Sequence, residues 1–243
     1  MNQFLDFLHL FFTAWWGYAI ISVLFVFLVI LLYKPFFKAF FDCLLAFAAL
    51  VLLSPFFLII SILIKTSSPG PIFFRQKRVG KNKKLFTIHK FRTMRVDAPQ
   101  AMPTHLLENP DQYITSVGKF LRKTSLDELP QILDILRLKM SVVGPRPALF
   151  NQEDLVAERD KYDANKVRPG LTGLAQISGR DELEIPVKAR MDGTYVRKRN
   201  IFLDAKIFFL TIIKVFRSDG VLEGRSGKTE EVPDSGDAEC PEE

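Results

Sequence analysis

Two long uncharged apolar runs near the N-terminus constrain the fold of this chain more than any other feature. Phe7–Tyr33 and Cys43–Ile64 contain no Asp, Glu, Lys or Arg over 27 and 22 residues. Each run exceeds the ~18 residues at which a membrane helix becomes the default interpretation. No comparable run follows Ile64 in the 243-residue chain. The sequence therefore excludes an ordinary soluble protein and a bundle of many spans, and it indicates a membrane-anchored protein.

Charge is divided unevenly along the chain. Residues 227–243 contribute −6 to a net charge of +6, so the preceding 226 residues carry +12. Residues 65–100 contain ten Lys or Arg and one acidic residue, Asp97. A basic block directly after a membrane segment favours the cytoplasmic face, with its anionic lipids or phosphorylated ligands. Nucleic acid is the rival partner for such a block, but the juxtamembrane position favours lipid or phosphate, so no nucleic-acid partner is expected.

The second apolar run is interrupted at its middle by Ser54 and Pro55. Pro55 lacks a backbone donor and its ring clashes with the preceding turn, so the helix is expected to bend or break there. The Ser54 hydroxyl can donate to the backbone acceptor that the proline leaves free. The run is either a kinked spanning helix or a re-entrant hairpin that leaves the membrane on the side it entered. The flanking Lys34, Lys38 and Lys65 favour the hairpin, because both flanks then face the cytoplasm.

The chain divides into four predicted segments. Residues 1–33 form an additional transmembrane helix, and their lack of Lys and Arg places the N-terminus outside the cytoplasm. Residues 34–64 form the re-entrant membrane hairpin, residues 65–217 a cytoplasmic domain, and residues 218–243 an acidic disordered tail. The expected fold class is α+β and mostly helical, with a small β element and membrane-interfacial helices.

Local patterns predict the elements of the cytoplasmic domain. The β-prone residues 72–74 and 85–88 flank Gly80–Lys83 and predict a basic hairpin. The other predicted elements are helices over Val117–Lys123, Leu126–Lys139, Gln152–Asp163, Ile185–Arg199 and Ile201–Arg217, a short strand over Met140–Val143, and loops over 97–116 and Val167–Arg180. The last helix combines Phe with Lys, so it is either a core helix or, as favoured here, an interfacial helix on the membrane surface.

The most informative candidate site lies within Thr124–Gln131. Asp127 and Glu128 are adjacent carboxylates at the predicted start of a helix. One interpretation is structural, because Ser125 with Glu128 three residues later is a capping box, and acidic side chains stabilise helix N-termini. The functional interpretation is that one carboxylate attacks a phosphoryl centre while its neighbour binds Mg²⁺, a cation that prefers oxygen ligands.

Three further segments carry basic residues suited to phosphate. Flanking prolines restrict the backbone around Arg146, and an arginine held in this way loses less entropy when it grips a phosphate. A rigid turn with a solvated arginine is the alternative. Lys90 and Arg92 are predicted to share one face of a strand. Residues 166–180 combine Gly, Arg and hydroxyl residues, which suits a loop around a phosphorylated ligand but also an ordinary surface loop. No catalytic triad, zinc motif, Walker A sequence or GxGxxG occurs in the sequence.

Taken together, these motifs resemble the bacterial sugar transferases, which are monotopic phosphoglycosyl transferases. The resemblance runs from about Lys34 to Arg217 and rests on six motifs in one order. They are Ser54-Pro55, Lys90–Met94, Arg122 with Ser125–Leu129, Gly144–Pro147, Lys166–Gly170, and Gly173 with Gly179-Arg180. Members of this family anchor through a re-entrant helix bent at a Ser-Pro pair, which adds to the topology argument. Residues 1–33 and the acidic tail lie outside the resemblance.

The resemblance implies a reaction with two steps. Asp127 attacks the β-phosphorus of a UDP-sugar, releases UMP and keeps the phosphosugar on its carboxylate. A polyprenol phosphate, expected to be undecaprenyl phosphate, then accepts the phosphosugar and begins the synthesis of a membrane glycoconjugate such as an exopolysaccharide. Glu128 is implied to be a Mg²⁺ ligand beside this nucleophile.

The resemblance also implies roles outside the carboxylate pair. Phosphate-binding or site-ordering roles fall to the basic residues Lys90, Arg122, Arg146, Arg168 and Arg180. Ser54 and Pro55 set the membrane hairpin. Residues 65–217 are then a phosphoglycosyl transferase domain on the cytoplasmic face of the bacterial inner membrane, and downstream glycosyltransferases are further expected partners.

Two other functions fit parts of the sequence. A non-catalytic membrane scaffold, binding anionic lipid through its basic domain, explains the charge and the anchor but not the carboxylate pair. A membrane hydrolase acting on nucleotide-sugars or lipid phosphates would use the same groups with water as the acceptor. Product identity separates the three: a lipid-linked sugar for the transferase, no product for the scaffold and free sugar phosphate for the hydrolase.

Overall fold

Helices dominate the chain, and its strands form two small two-stranded sheets. The structure is a computed structural model that describes residues 2–98, 110–179 and 183–217. The α-helices are α1 (Asn2–Leu32), α2 (Lys38–Ser67), α3 (Ser116–Lys123), α4 (Ile132–Leu136), α5 (Glu153–Asp160), α6 (Leu174–Ser178), α7 (Ile185–Lys198) and α8 (Ile201–Arg217). The strands are β1 (Phe73–Val79), β2 (Leu85–Phe91), β3 (Ser141–Val143) and β4 (Gly170–Thr172). A π-helix (Tyr33–Phe37) joins α1 to α2, and a 3₁₀ helix (Leu126–Gln131) precedes α4.

Helices α1 and α2 are both long and apolar enough to cross a membrane. The apolar segment Trp15–Leu32 of α1 has no buried residue, as expected of a helix that faces lipid. Helix α2 continues through Pro55 as an α-helix, so the expected break does not occur there, and the re-entrant hairpin stays a prediction. The Ser54 hydroxyl donates to the carbonyl of Val51 at 2.8 Å. Val51 is the carbonyl four residues before the proline, so the hydroxyl performs the predicted task.

Both halves of α2 pack against the domain that follows it. Before Pro55, Ala46 is buried in a core shared with α4, β3, α7 and α8. After Pro55, Ile60 and Ile64 are buried in a second core shared with β2 and α3. The opposite side of α2 exposes large apolar residues, among them Phe47 and Leu58. One face of α2 therefore lies on the domain over most of its length.

A buried polar cluster fastens the start of α2 to the domain. The Asp204 carboxylate on α8 accepts from Lys38 Nζ at 2.7 Å, from the Tyr33 hydroxyl, and from the Tyr195 hydroxyl at 2.8 Å. The Asp42 carboxylate accepts hydrogen bonds from the Ser141 hydroxyl at 2.6 Å and from the backbone N–H of Val142 at 3.2 Å. We call these side chains the junction cluster: Tyr33, Lys38, Asp42, Ser141, Tyr195 and Asp204.

The predicted basic hairpin is present, and its register is set by antiparallel pairing of β1 with β2. The second sheet was not predicted. Residues 170–172, expected in a loop, form β4 and pair in parallel with β3. A Cβ added to Gly170 would lie 2.1 Å from the backbone N of Gly144, so the two backbones meet only because both residues are glycine. The glycines of this segment thus serve close backbone packing.

Most predicted helices are confirmed, with one change of type. The helix expected over Leu126–Lys139 begins as a 3₁₀ helix and becomes α-helical only at Ile132. Pro130 lacks the N–H that a regular α-helix would use at this point, which explains the change. Helix α8 has a buried and an exposed side, because Ile207 is fully buried in the core while Phe202 and Phe209 are exposed. Its location at the membrane surface stays a prediction. The predicted loop over 97–116 lies largely outside the described residues.

Candidate active site

Three elements bring the predicted charged residues together. Asp127 and Glu128 lie on the 3₁₀ helix, Lys90 lies on β2, and Arg146 lies in the turn after β3. Lys90 Nζ donates to Glu128 Oε1 at 2.7 Å and lies 3.7 Å from Asp127 Oδ2. Arg146 donates to the same Glu128 oxygen at 3.0 Å. Two adjacent carboxylates and two cations therefore form one cluster.

The capping-box interpretation of this segment is wrong. Ser125 has a left-handed backbone (φ 56°) and its side chain makes no cap hydrogen bond. The Glu128 carboxylate bonds to Lys90 and Arg146 instead of the helix N-terminus. The left-handed residue turns the chain sharply between α3 and the 3₁₀ helix. Both carboxylates consequently face β2 and the Arg146 turn.

The two neighbouring carboxylates have opposite electrostatic environments. Burial raises the pKa of Asp127 above its ordinary value, although Lys90 opposes the shift. Burial also acts on Glu128, but Arg146 and Lys90 outweigh it and hold the pKa of Glu128 well below its usual range. Asp127 is the more basic carboxylate and has no cation closer than 3.7 Å among the described ion pairs. Such a separation of pKa values within a pair assigns different tasks to the two groups.

Arg122 reaches the site from α3. Its Nε donates to the Thr93 hydroxyl at 2.9 Å, and both residues line the cavity described below. A close approach of α3 to the Thr93 backbone makes this contact possible. A Cβ added to Gly118 would lie 2.0 Å from the Thr93 carbonyl oxygen, so this position requires glycine. Arg122 adds positive charge beside Asp127 and opposes the rise in the pKa of that carboxyl.

Arg92 does not join Lys90 at the carboxylates. Its guanidinium donates to the carbonyls of Ser68 and Pro69 at 2.7 and 2.8 Å. These carbonyls belong to the segment that leaves α2, where the backbone turns and has no regular partners. Arg92 therefore holds the exit from α2, whereas the sequence placed it beside Lys90 on one phosphate-facing strand surface.

The cluster opens into a cavity of about 1390 Å³. Its polar part is lined by Asp127, Glu128, Lys90, Arg122 and Arg146. Its apolar part is lined by α2 and α8, with Leu45, Ala49, Leu52, Leu53 and Phe208 among the lining residues. Pockets for drug-sized ligands occupy roughly 300–1,000 Å³, so this cavity has room for more than one such molecule. Charged groups thus adjoin an apolar wall that belongs partly to α2.

Other residues singled out by the sequence lie elsewhere. Arg168 is half-buried and its side chain is not part of the cavity lining. Arg180 lies outside the described residues. Ser54 and Pro55 are exposed on α2 and do not line the cavity.

The sequence did not single out two further side-chain pairs beside the site, each of which contains a buried Asp. Arg159 donates through Nε and one terminal nitrogen to Asp192 at 2.8 and 2.6 Å, and both residues line the cavity. Asp134 on α4 accepts from the backbone of His89 at 2.9 Å and lies 2.8 Å from its ring Nδ1. The sequence feature that could have indicated the second pair is Asp134 itself, an acidic residue among the apolar residues of α4.

The carboxylate oxygens of Glu128 are ligands of the kind that Mg²⁺ prefers. Lys90 and Arg146 both donate to Oε1 of the Glu128 carboxylate. No cluster of three or more His, Cys, Asp or Glu occurs in the described parts of the chain. Mg²⁺ is commonly held by one or two carboxylates together with substrate phosphates and water rather than by a full protein cage. The carboxylate pair therefore fits this ion in the presence of a phosphate ligand.

Comparisons with known proteins agree with the motifs. A family model described as bacterial sugar transferase matches residues 33–218. The exopolysaccharide production protein ExoY of Rhizobium meliloti is 41% identical over 202 residues, which cover 75% of this chain and 87% of that protein. The UDP-glucose:undecaprenyl-phosphate glucose-1-phosphate transferase of Escherichia coli is 42% identical over 182 residues, or 72% of this chain and 39% of that longer protein. The galactosyl transferase CpsE of Streptococcus agalactiae is 40% identical over 167 residues, or 62% of this chain and 36% of that protein.

Proposed function

The chain belongs to the bacterial sugar transferase family and is a phosphoglycosyl transferase, and we propose that it transfers a sugar 1-phosphate from a UDP-sugar to a polyprenol phosphate. The observation that carries this proposal is the pair of adjacent carboxylates with opposite environments, placed between cations in a cavity with an apolar wall. The apolar wall suits a lipid substrate, and the cations suit phosphate groups. Undecaprenyl phosphate is the acceptor named for the E. coli relative.

In the first step, an Asp127 oxygen attacks the sugar-bearing β-phosphorus of the UDP-sugar. A bond forms between the carboxylate oxygen and phosphorus, and the bond from phosphorus to the bridging oxygen breaks, so UMP leaves with that oxygen. Asp127 suits the nucleophile because burial keeps it basic and no cation contacts it at hydrogen-bond distance among the described pairs. Lys90 lies close enough to attract the negative charge that builds up in the transition state.

In the second step, a phosphate oxygen of the polyprenol phosphate attacks the same phosphorus. The bond from phosphorus to the Asp127 oxygen breaks, which regenerates the carboxylate and gives the polyprenol diphosphate sugar. The leaving UMP and the entering lipid phosphate use the same face of one site in turn. A covalent intermediate therefore lets one cluster of cations serve two phosphate-bearing substrates that would repel each other if bound together.

Glu128 is proposed to hold Mg²⁺, and the ion would offset the negative charge of the diphosphate. The low pKa of Glu128 keeps the carboxylate ionised and ready to bind a cation. Lys90 and Arg146 fix its orientation through Oε1. Asp127 thus acts as the nucleophile, and Glu128 acts as the ligand for the metal ion.

We further propose that α2 enters and leaves the membrane on the cytoplasmic face of the inner membrane. Both halves of α2 pack on the same domain, which a helix with ends on opposite sides of the bilayer cannot do unless the domain also crosses. The exposed apolar side of α2 then faces lipid. Helix α1 is proposed to span, with the N-terminus outside. This arrangement brings the polyprenol phosphate headgroup to the depth of the carboxylates.

The test is UMP release by the detergent-solubilised chain with Mg²⁺ and a panel of UDP-sugars, with and without undecaprenyl phosphate. UDP-glucose and UDP-galactose are the first donors, since relatives are named for glucose 1-phosphate and galactosyl transfer. Lipid-dependent UMP release that Asp127→Asn abolishes and the exposed Asp111→Asn leaves intact supports the proposal. UMP release with free sugar phosphate and no lipid dependence would instead identify a hydrolase, and no release from any donor would favour the scaffold.

A further inference from the structure

Among the described ion pairs, Lys90 is the cation that lies beside both carboxylates of the site. Its Nζ lies 2.7 Å from Glu128 and 3.7 Å from Asp127, so it contacts both carboxylates. A displacement of about 1 Å in such a group can cost about 100-fold in rate. The position of Lys90 relative to the 3₁₀ helix is therefore a determinant of activity.

The strand that bears Lys90 has little intrinsic rigidity. Among the described residues, strand β2 pairs only with β1, and an isolated two-stranded hairpin is marginally stable in water. Ile88 and Phe91 are buried and attach β2 to the two cores. Apolar burial is non-directional, so these contacts tolerate small shifts along the strand. A directional contact is needed to fix the register between β2 and the 3₁₀ helix.

Asp134 supplies such a contact at the residue beside Lys90. Its side chain is only 1% exposed. One carboxylate oxygen, Oδ2, accepts from the backbone N–H of His89 at 2.9 Å. The other, Oδ1, lies 2.8 Å from Nδ1 of the same residue and accepts a hydrogen bond from it in the tautomer that carries hydrogen on Nδ1. Backbone and ring of one residue are thus both bound by one carboxylate.

Asp134 also belongs to the same helical unit as the two reactive carboxylates. Helix α4 follows the 3₁₀ helix of Asp127 and Glu128 without an intervening loop. Ile132 and Ile135 on either side of Asp134 are buried in the core. The Asp134 carboxylate lies 3.9 Å from the guanidinium of Arg137, whose side chain is 60% exposed. This ion pair therefore contributes little to stability.

We infer that Asp134 is a positioning residue for the transferase reaction: by binding His89, it sets the place at which the next residue, Lys90, presents its ammonium to Asp127 and Glu128. This inference rests on the proposed function, because it concerns the rate of that reaction. Asp134 acts only through Lys90 and touches no substrate.

Three variants distinguish a role of Asp134 in positioning Lys90 from a general contribution to the stability of the fold. Asp134→Leu removes both contacts and is expected to lower kcat about 100-fold, with a change in the KM for the UDP-sugar of less than about threefold. Asp134→Asn is the rescue variant. Its amide oxygen can accept from the His89 backbone and its amide nitrogen can donate to Nδ1 of the other ring tautomer, so near wild-type kcat is expected. Arg137→Gln is the matched control and should leave kcat and KM unchanged.

The decisive measurement is a double-mutant cycle on kcat between Asp134→Leu and Lys90→Met, with thermal unfolding of each variant as the folding check. If Asp134 acts through Lys90, the double variant is as active as Lys90→Met alone. Multiplied losses in the double variant, or a kcat of Asp134→Asn as low as that of Asp134→Leu, would overturn the inference. Absence of lipid-dependent UMP release from the wild type would instead refute the proposed function.

Discussion

The junction cluster attaches the start of α2 to the domain, and the contribution of this attachment to the free energy of unfolding can be predicted. In the Asp204→Ala variant, Lys38 loses its 2.7 Å partner and keeps only Asp42 at 3.7 Å, while its side chain remains 89% buried. Removing one partner of a buried ion pair costs about 3–5 kcal/mol. Tyr33 also loses its acceptor, whereas Tyr195 retains the Val143 carbonyl at 2.9 Å. The free energy of unfolding should therefore fall by about 4 kcal/mol.

Thermal unfolding in one fixed detergent measures this effect. For a chain of this size, each kcal/mol lowers the unfolding midpoint by roughly 2–4 °C, so a decrease of about 8–16 °C is expected. Asp204→Asn keeps an acceptor oxygen and should lose less. Asp97→Ala is the control, because the Arg95–Asp97 pair is more than half exposed on both sides and should contribute almost nothing. A midpoint for Asp204→Ala within 2 °C of that control would refute the reasoning.

Three further predictions concern the site and the anchor. Glu128→Gln should weaken the response of UMP release to Mg²⁺, which a magnesium titration of wild type and variant compares; an unchanged half-saturating concentration would remove Glu128 from the metal site. Gly118→Ala should destabilise the fold and displace Arg122, because the new Cβ would lie 2.0 Å from the Thr93 carbonyl oxygen; an unchanged unfolding midpoint would contradict the described contact. Pro55→Ala should shift the side of the membrane on which single cysteines beyond the two ends of α2 are labelled, and identical labelling would count against the role of the proline in re-entry.

Short-range features of the site could be predicted from the sequence. The hairpin, most helices and strand β3 follow from local periodicity and turn residues. The charged cluster followed from motifs whose order matched a known family, and Asp127, Glu128, Lys90 and Arg146 do come together. Asp127 and Glu128 stand out as adjacent carboxylates, Arg146 by its two flanking prolines, and Lys90 by its place on the predicted basic strand.

Long-range features were beyond the sequence because they depend on tertiary packing. Strand β4 pairs with β3 through a close approach of Gly144 and Gly170, which a Gly-rich segment shares with ordinary loops. Asp204 meets Tyr33 across 171 positions, and neither residue signals the other. The alternation of side chains along the predicted strand placed Arg92 on the same face as Lys90. Its guanidinium instead donates to the two carbonyls that follow α2. Buried polar groups take whichever partner the fold supplies, and local patterns do not encode that partner.

The central claim is that the Asp127 carboxylate carries the phosphosugar between the two substrates. The most direct test is intact-protein and peptide mass spectrometry of the chain mixed with Mg²⁺ and the donor that supports UMP release, without lipid. We expect one added sugar phosphate on the peptide that contains Asp127, its loss on addition of undecaprenyl phosphate, and no adduct in Asp127→Asn. Lipid-dependent turnover that persists in Asp127→Asn at more than about one thousandth of the wild-type rate would contradict the claim.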